Sequence, residues 1–142
     1  MPTTISTSAD PVARRTATRR RPILRTTVVA GVVATVVVTA MAAVAAAADV
    51  PLEIDDDVIP LWGFVQLTLI GAILGGLMAA GFDRWATRAR AWFVTTTIVL
   101  TALSCIPSVA MPPDAATQVV LVATHLVAAG IIIPALARHL RR

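Results

Sequence analysis

His125 is the ionisable side chain best placed to do chemistry here, because it stands in the middle of the apolar run Gln118–Ala137. A charge is expensive in such surroundings, so an imidazole there usually faces protein or water. Two uses are open to it. It can titrate or bind a ligand along a polar path, or it can hydrogen-bond to a neighbouring helix and hold the two together. Hydroxyls are at hand: Thr97, Thr101, Ser104 and Ser108, with Cys105, fall at offsets of 0, 4, 7, 11 and 8, one face of a helix. Ser104 and Thr101 are the expected partners of His125. Gln118, Thr117 and Thr124 add amide and hydroxyl groups to the helix of His125 itself. No Asp, Glu, Lys or Arg lies inside the apolar runs to complete a proton relay.

Other reactive patterns are absent from the sequence. Cys105 is the single cysteine, which excludes an intramolecular disulfide and any paired-cysteine redox or zinc motif, and it reads as a small apolar filler. Asp55, Asp56 and Asp57 form an acidic run without the alternating ligands and turn glycine of a calcium loop, so a solvated loop is the reading. There is no plausible Ser-His-Asp set, no carboxylate pair in an apolar run and no glycine-rich phosphate loop. We therefore expect no enzyme, no catalytic centre, no cofactor and no metal.

The elements that must position these groups are four apolar runs, Thr27–Ala48, Leu61–Phe82, Trp92–Met111 and Gln118–Ala137. Each is about 20 residues, enough to cross a hydrocarbon core of about 30 Å at about 1.5 Å per residue. A composition 57% hydrophobic and 14% charged fits that reading, since soluble domains carry about a quarter charged residues. All 12 basic residues are arginines, and they fall before the first run, between the second and third, and after the fourth. The other two connections hold Asp49, Glu53, Asp55, Asp56, Asp57 and Asp114 and no base. Under the positive-inside rule this is an all-α four-helix transmembrane bundle with both termini cytoplasmic. The high pI then reflects orientation and attraction to anionic lipid headgroups rather than nucleic-acid binding.

The flanks follow from composition. Residues 1–26, rich in Thr, Ser, Pro and Arg, read as a disordered basic cytoplasmic tail, 27–137 as the membrane domain and 138–142 as a second basic tail. The first run imitates a secretory signal, but its length of about 22 residues exceeds the usual 7–15 of a signal core, so we expect it to be retained. Pro51 and Pro60 bound the first acidic loop, and Pro112-Pro113-Asp114 makes a short turn with Asp114 as the N-cap of the last helix. Trp62, Trp85 and Trp92 suit the headgroup level, and His139 reads as an interface residue.

Helices in lipid associate through small residues and hydrogen bonds. The first helix carries Gly31, Thr35, Thr39, Ala43 and Ala47 at four-residue spacing, and the second carries Gly71, Gly75 and Ala79, with Gly76 and Ala80 one position round. These rows are expected to pack inward, or to pair two copies. Pro107 and Pro134 lie inside the third and fourth runs and are expected to kink them and free carbonyls.

The last part of the chain resembles a known family. The pieces are Ala86-Thr87-Arg88-Ala89-Arg90-Ala91-Trp92, Leu103-Ser104-Cys105-Ile106-Pro107, Ala123-Thr124-His125-Leu126-Val127-Ala128-Ala129 and Ile133-Pro134-Ala135-Leu136. They resemble the small four-span membrane proteins of high-GC Gram-positive bacteria grouped as a domain of unknown function, DUF family 6069. The likeness covers roughly 61–137, and Thr124 stands where the family often has Met before the His. It implies a bacterial plasma-membrane protein with His125 and Pro134 as shared features, and implies no substrate. The expected role is a non-enzymatic scaffold or accessory subunit, whose partners are the lipid bilayer, anionic headgroups, and itself or another membrane protein. The alternative is a small oligomeric transporter or channel with a Thr/Ser-lined path and His125.

Overall fold

The structure, a computed structural model, describes residues 11–54, 57–111 and 114–141, with side chains described from residue 22 onward. Four helices account for nearly all of it: α1 (Pro11–Ala47), α2 (Leu61–Trp85), α3 (Ala89–Ala110) and α4 (Ala115–Ala137). Each contains a stretch long and apolar enough to cross a membrane, of 26, 25, 22 and 23 residues respectively. The chain is thus all-helical apart from one short hairpin, and its four helices have the length and apolarity of membrane spans. Two short strands, β1 (Glu53–Ile54) and β2 (Asp57–Val58), pair antiparallel in the α1–α2 connection.

Helices α1, α3 and α4 begin before their apolar runs and α2 ends beyond its own, because capping and packing as well as hydropathy set the boundaries. Residues 1–10 of the expected disordered tail lie outside the described residues, and from Pro11 the chain is helical. Ile23 supplies the reason at the inner part of this stretch. It is buried in the same cluster as Leu136 and Leu140, so continuing α1 gives that side chain a core to join. The α2–α3 connection shrinks likewise to three residues, 86–88, with Ala89 fully buried at the start of α3. Helix α4 starts at Ala115 because Asp114 caps it, accepting from the Thr117 backbone N–H at 2.9 Å.

The end of α1 is closed by backbone geometry. Asp49 has φ 58° and the Val50 and Asp49 N–H groups donate back to Ala45 O at 3.1 Å and Ala46 O at 3.2 Å, a Schellman motif with Asp where Gly is usual. Leu52 also takes a positive φ of 48°, and its side chain is buried against Val38, Ala42, Phe64 and Leu121. The acidic connection, read as a solvated loop, is therefore anchored. Asp55 and Asp56 lie outside the described residues, while Asp57 is exposed.

The helices pack in a ring, α1 most extensively on α2, then on α4, with α3 on α4 and a thinner α2–α3 contact. The α1–α2 seam is the tightest. A Cβ added to Gly31 would stand 2.9 Å from Ala72 Cβ, and one added to Gly76 would stand 2.5 Å from the Thr27 side chain. Gly75 faces Ile132 and Leu136 of α4 at ordinary contact distance, and Ala79 is fully buried. Gly71 is exposed, with open space where a side chain would project. The expected four-residue rows thus leave the core at one end, at Gly71 on α2 and at Ala47 on α1. On α1 the buried arc is instead Ala30, Ala34, Val38 and Ala42, flanked by Gly31 and Thr35, while Ala43 is half-buried and Ala47 exposed. Val32, Val36, Leu67, Leu77 and Ile106 face outward, as lipid-facing side chains do.

Two outcomes test this packing. Gly76→Val should lower bundle stability by roughly 1–3 kcal/mol through overpacking against Thr27, read as the thermal midpoint in detergent, while Gly71→Ala stays within about 0.5 kcal/mol. The Asp114 carboxyl is held below its ordinary value by the nearby Thr117 hydroxyl and then by the Thr117 N–H, of which the N–H has full hydrogen-bond geometry. A depressed folded pKa means the cap is intact above the ordinary aspartate range and is lost as pH falls through the depressed value. The protection factor of the Thr117 amide, its exchange rate relative to the unprotected rate at the same pH, should therefore fall on acidification, and in Asp114→Ala it should be low at every pH.

Candidate functional site

The polar face of α3 is present as spaced, but its hydroxyls turn back on their own helix. Thr97 donates to Phe93 O at 2.7 Å, Thr101 to Thr97 O at 2.8 Å, Ser104 to Thr101 O at 2.8 Å and Ser108 to Ser104 O at 3.3 Å. Thr97 and Ser108 are buried, while Thr101, Ser104 and Cys105 are half-buried. On α4, Thr124 donates to Leu121 O at 2.7 Å. In an apolar medium the carbonyl three or four residues back is always within reach of a Ser or Thr hydroxyl, so the local bond wins over a bond between helices.

His125 follows the same rule, which corrects the expected link to Ser104 or Thr101. Its Nδ1 lies 2.8 Å from Leu121 O in α4 itself. A carbonyl can only accept, so the proton is on Nδ1 and Nε2 is the nitrogen left for another partner. The ring is half-buried. Gln118, one turn into α4, is half-buried and already engaged in a polar interaction.

Three threonine hydroxyls stand apart. Thr35, Thr39 and Thr117 Oγ1 are buried with no hydrogen-bond partner among the described residues. Pro107 and Pro134 are both within their helices and exposed, so their rings face away from the bundle core. Among the described residues no three His, Cys, Asp or Glu gather as a metal site would require.

A second polar group, not legible as a unit in the sequence, lies where α1 begins its apolar stretch and α4 ends. Thr26 Oγ1 and His139 Nε2 are 3.0 Å apart across 113 positions of sequence. Beside them a cleft of about 850 Å³ runs between the two helices, lined at one end by Arg25, Arg138 and His139 and further along by Val33 and Ile131. The signal that could have found it is the one that placed Ile23 in the core, the continuation of α1 below Thr27. At the same end Arg141 Nε lies 3.6 Å from Asp83 Oδ1, its terminal nitrogen donates to Asp83 O, and Arg90 N–H donates to Arg141 O at 2.9 Å. Arg25, Arg84, Arg88, Arg90, Arg138 and Arg141 thus collect at one end of the bundle, and Asp49, Glu53, Asp57 and Asp114 at the other.

With this architecture in view, the model of the family described as "Family of unknown function (DUF6069)" matches residues 18–142. The chain belongs to the DUF6069 family. The match reaches beyond 61–137, so α1 from residue 18 and the anchored acidic connection are part of the DUF6069 domain rather than undistinctive flanks. No curated protein and no solved structure matches the chain. Within the DUF6069 domain, His125 and Pro134 sit on α4 as its middle polar residue and its late proline.

The geometry separates two kinds of polar residue by stability. His125→Leu should cost under about 1 kcal/mol, since the bond lost is local, and Thr35→Val should be neutral or stabilising because it removes an unpaired buried hydroxyl. Thermal midpoints of both variants in one detergent check this. A large loss in Thr35→Val would mean its hydroxyl has a partner.

Proposed function

We propose that this DUF6069 protein is a non-enzymatic scaffold or accessory subunit of the bacterial plasma membrane, with both termini and the arginine-bearing end in the cytoplasm. The orientation is argued from the positive-inside rule applied to the two charged ends. The role is argued from one observation: Thr97, Thr101, Ser104, Ser108, Thr124 and His125 all bond to carbonyls of their own helices. A transport path needs polar groups that exchange partners with a passing solute, whereas these are committed to the backbone. What remains for function is surface. The outward face of α2 around Gly71, with open space above it, is a place where a helix of a partner can approach closely.

Mild-detergent purification from native membranes tests the role. Recovery of a defined membrane protein in constant ratio, diminished by Gly71→Leu with the thermal midpoint unchanged, is the expected result. Recovery of this chain alone removes the scaffold reading. Reporter fusions at Glu53 and Arg88 should report opposite compartments, and the same compartment for both would overturn the orientation.

A further inference from the structure

The α1–α4 cleft joins two chemistries within one short span. Arg25 and Arg138 are exposed at its lower end, with the Thr26–His139 pair between the helices. Arg138 uses its Nε–H on Ala135 O at 3.1 Å, which fixes the guanidinium and leaves its terminal N–H groups available. Among the described residues no carboxylate lines the cleft. Above the arginines the walls become apolar, through Val33 on α1 and Ile131 on α4. From Arg25 to Val33 is about 12 Å of helix at about 1.5 Å per residue.

We propose that this cleft binds one anionic phospholipid, its phosphate held by Arg25 and Arg138 and its first acyl segment laid along Val33 and Ile131. Charge complementarity selects the occupant. Two guanidiniums with no carboxylate among the described residues lining the cleft call for an anion, the apolar wall calls for a hydrocarbon continuous with it, and only an amphiphile supplies both in that order. The chain's own amino-terminal segment is a poor occupant, since Arg14, Arg15, Arg19, Arg20 and Arg21 carry the same sign as the site. A basic recess between membrane helices near a headgroup layer is a general form of lipid site. This goes beyond the scaffold reading and does not depend on it.

The full chain in mild detergent, given phosphatidylglycerol or phosphatidylcholine of matched chains, tests the proposal by native mass spectrometry. One phosphatidylglycerol should be retained in preference to phosphatidylcholine. Arg25→Gln/Arg138→Gln should weaken retention by roughly 30-fold, as expected for two surface cations. Arg84→Gln/Arg88→Gln, the same charge change at the same end, should leave it unchanged. Val33→Trp should also weaken retention by filling the apolar wall with both arginines intact. Circular dichroism and elution volume of each variant establish that the bundle is folded. Equal loss in the two double variants would overturn the proposal in favour of diffuse attraction. Displacement of the lipid by millimolar inorganic phosphate would overturn it in favour of a free anion. A change of oligomeric state without lipid retention would overturn it in favour of a second copy.

Discussion

The close approach of α1 and α2 is the contact on which the remaining architecture depends. Within a bilayer apolar surface gains nothing by leaving lipid for protein, so helices adhere through packed atoms and hydrogen bonds. Since the α3 hydroxyls, Thr124 and His125 bond within their own helices, packing carries most of the association, and it is densest where Gly31 meets Ala72 and Gly76 meets Thr27. Dispersion between touching atoms is small per pair and falls off steeply with distance, so a seam whose small residues let two backbones approach closely gathers many such contacts. Helix α4 then fills the groove beside this pair, with Ile132 and Leu136 over Gly75. Helix α3 closes the ring against α4 through fully buried Phe93 and its neighbours.

Charge organises the ends as packing organises the middle. The arginine-bearing end is tied together by backbone and guanidinium links from the carboxyl-terminal segment to α2 and α3, through Asp83, Arg90 and Arg141. The acidic end is tied by an apolar side chain, Leu52, and by the caps at Asp49 and Asp114. Tryptophans mark the transitions, Trp62 near the acidic end and Trp85 and Trp92 near the other, all exposed beside the polar termini. The two ends therefore differ in kind. One is a set of cations with unspent donors, and the other is a closed backbone.

Much of this fold was legible in the chain itself. The four apolar runs and the segregation of Arg from Asp and Glu are long-range compositional signals, and each run lies almost wholly within one helix. The Asp114 cap was legible because an Asp before an apolar run has few other uses. What escaped was decided by angles rather than residue types. Spacing marks a row but not which row meets a neighbouring helix: on α1 the row one position earlier, Ala30, Ala34, Val38 and Ala42, takes the core, and Ala47 and, on α2, Gly71 lie outside it. Thr101 and Ser104 were expected to meet His125, but the spacing that aligns hydroxyls also sets each beneath its own carbonyl. The pairing of Thr26 with His139 needed the helical continuation of α1, which a stretch rich in Arg and Thr did not announce.

Leu52 has a mechanical consequence. A residue with a side chain in the left-handed region carries a conformational penalty of about 1–2 kcal/mol, so it persists there because its isobutyl group is gripped by α1, α2 and α4 at once. The turn between the first two helices is in effect a cork. Splaying the helices at that mouth would require drawing it out, and at the opposite end Leu140, just beyond α4, is buried in one cluster with Ile23 and Leu136.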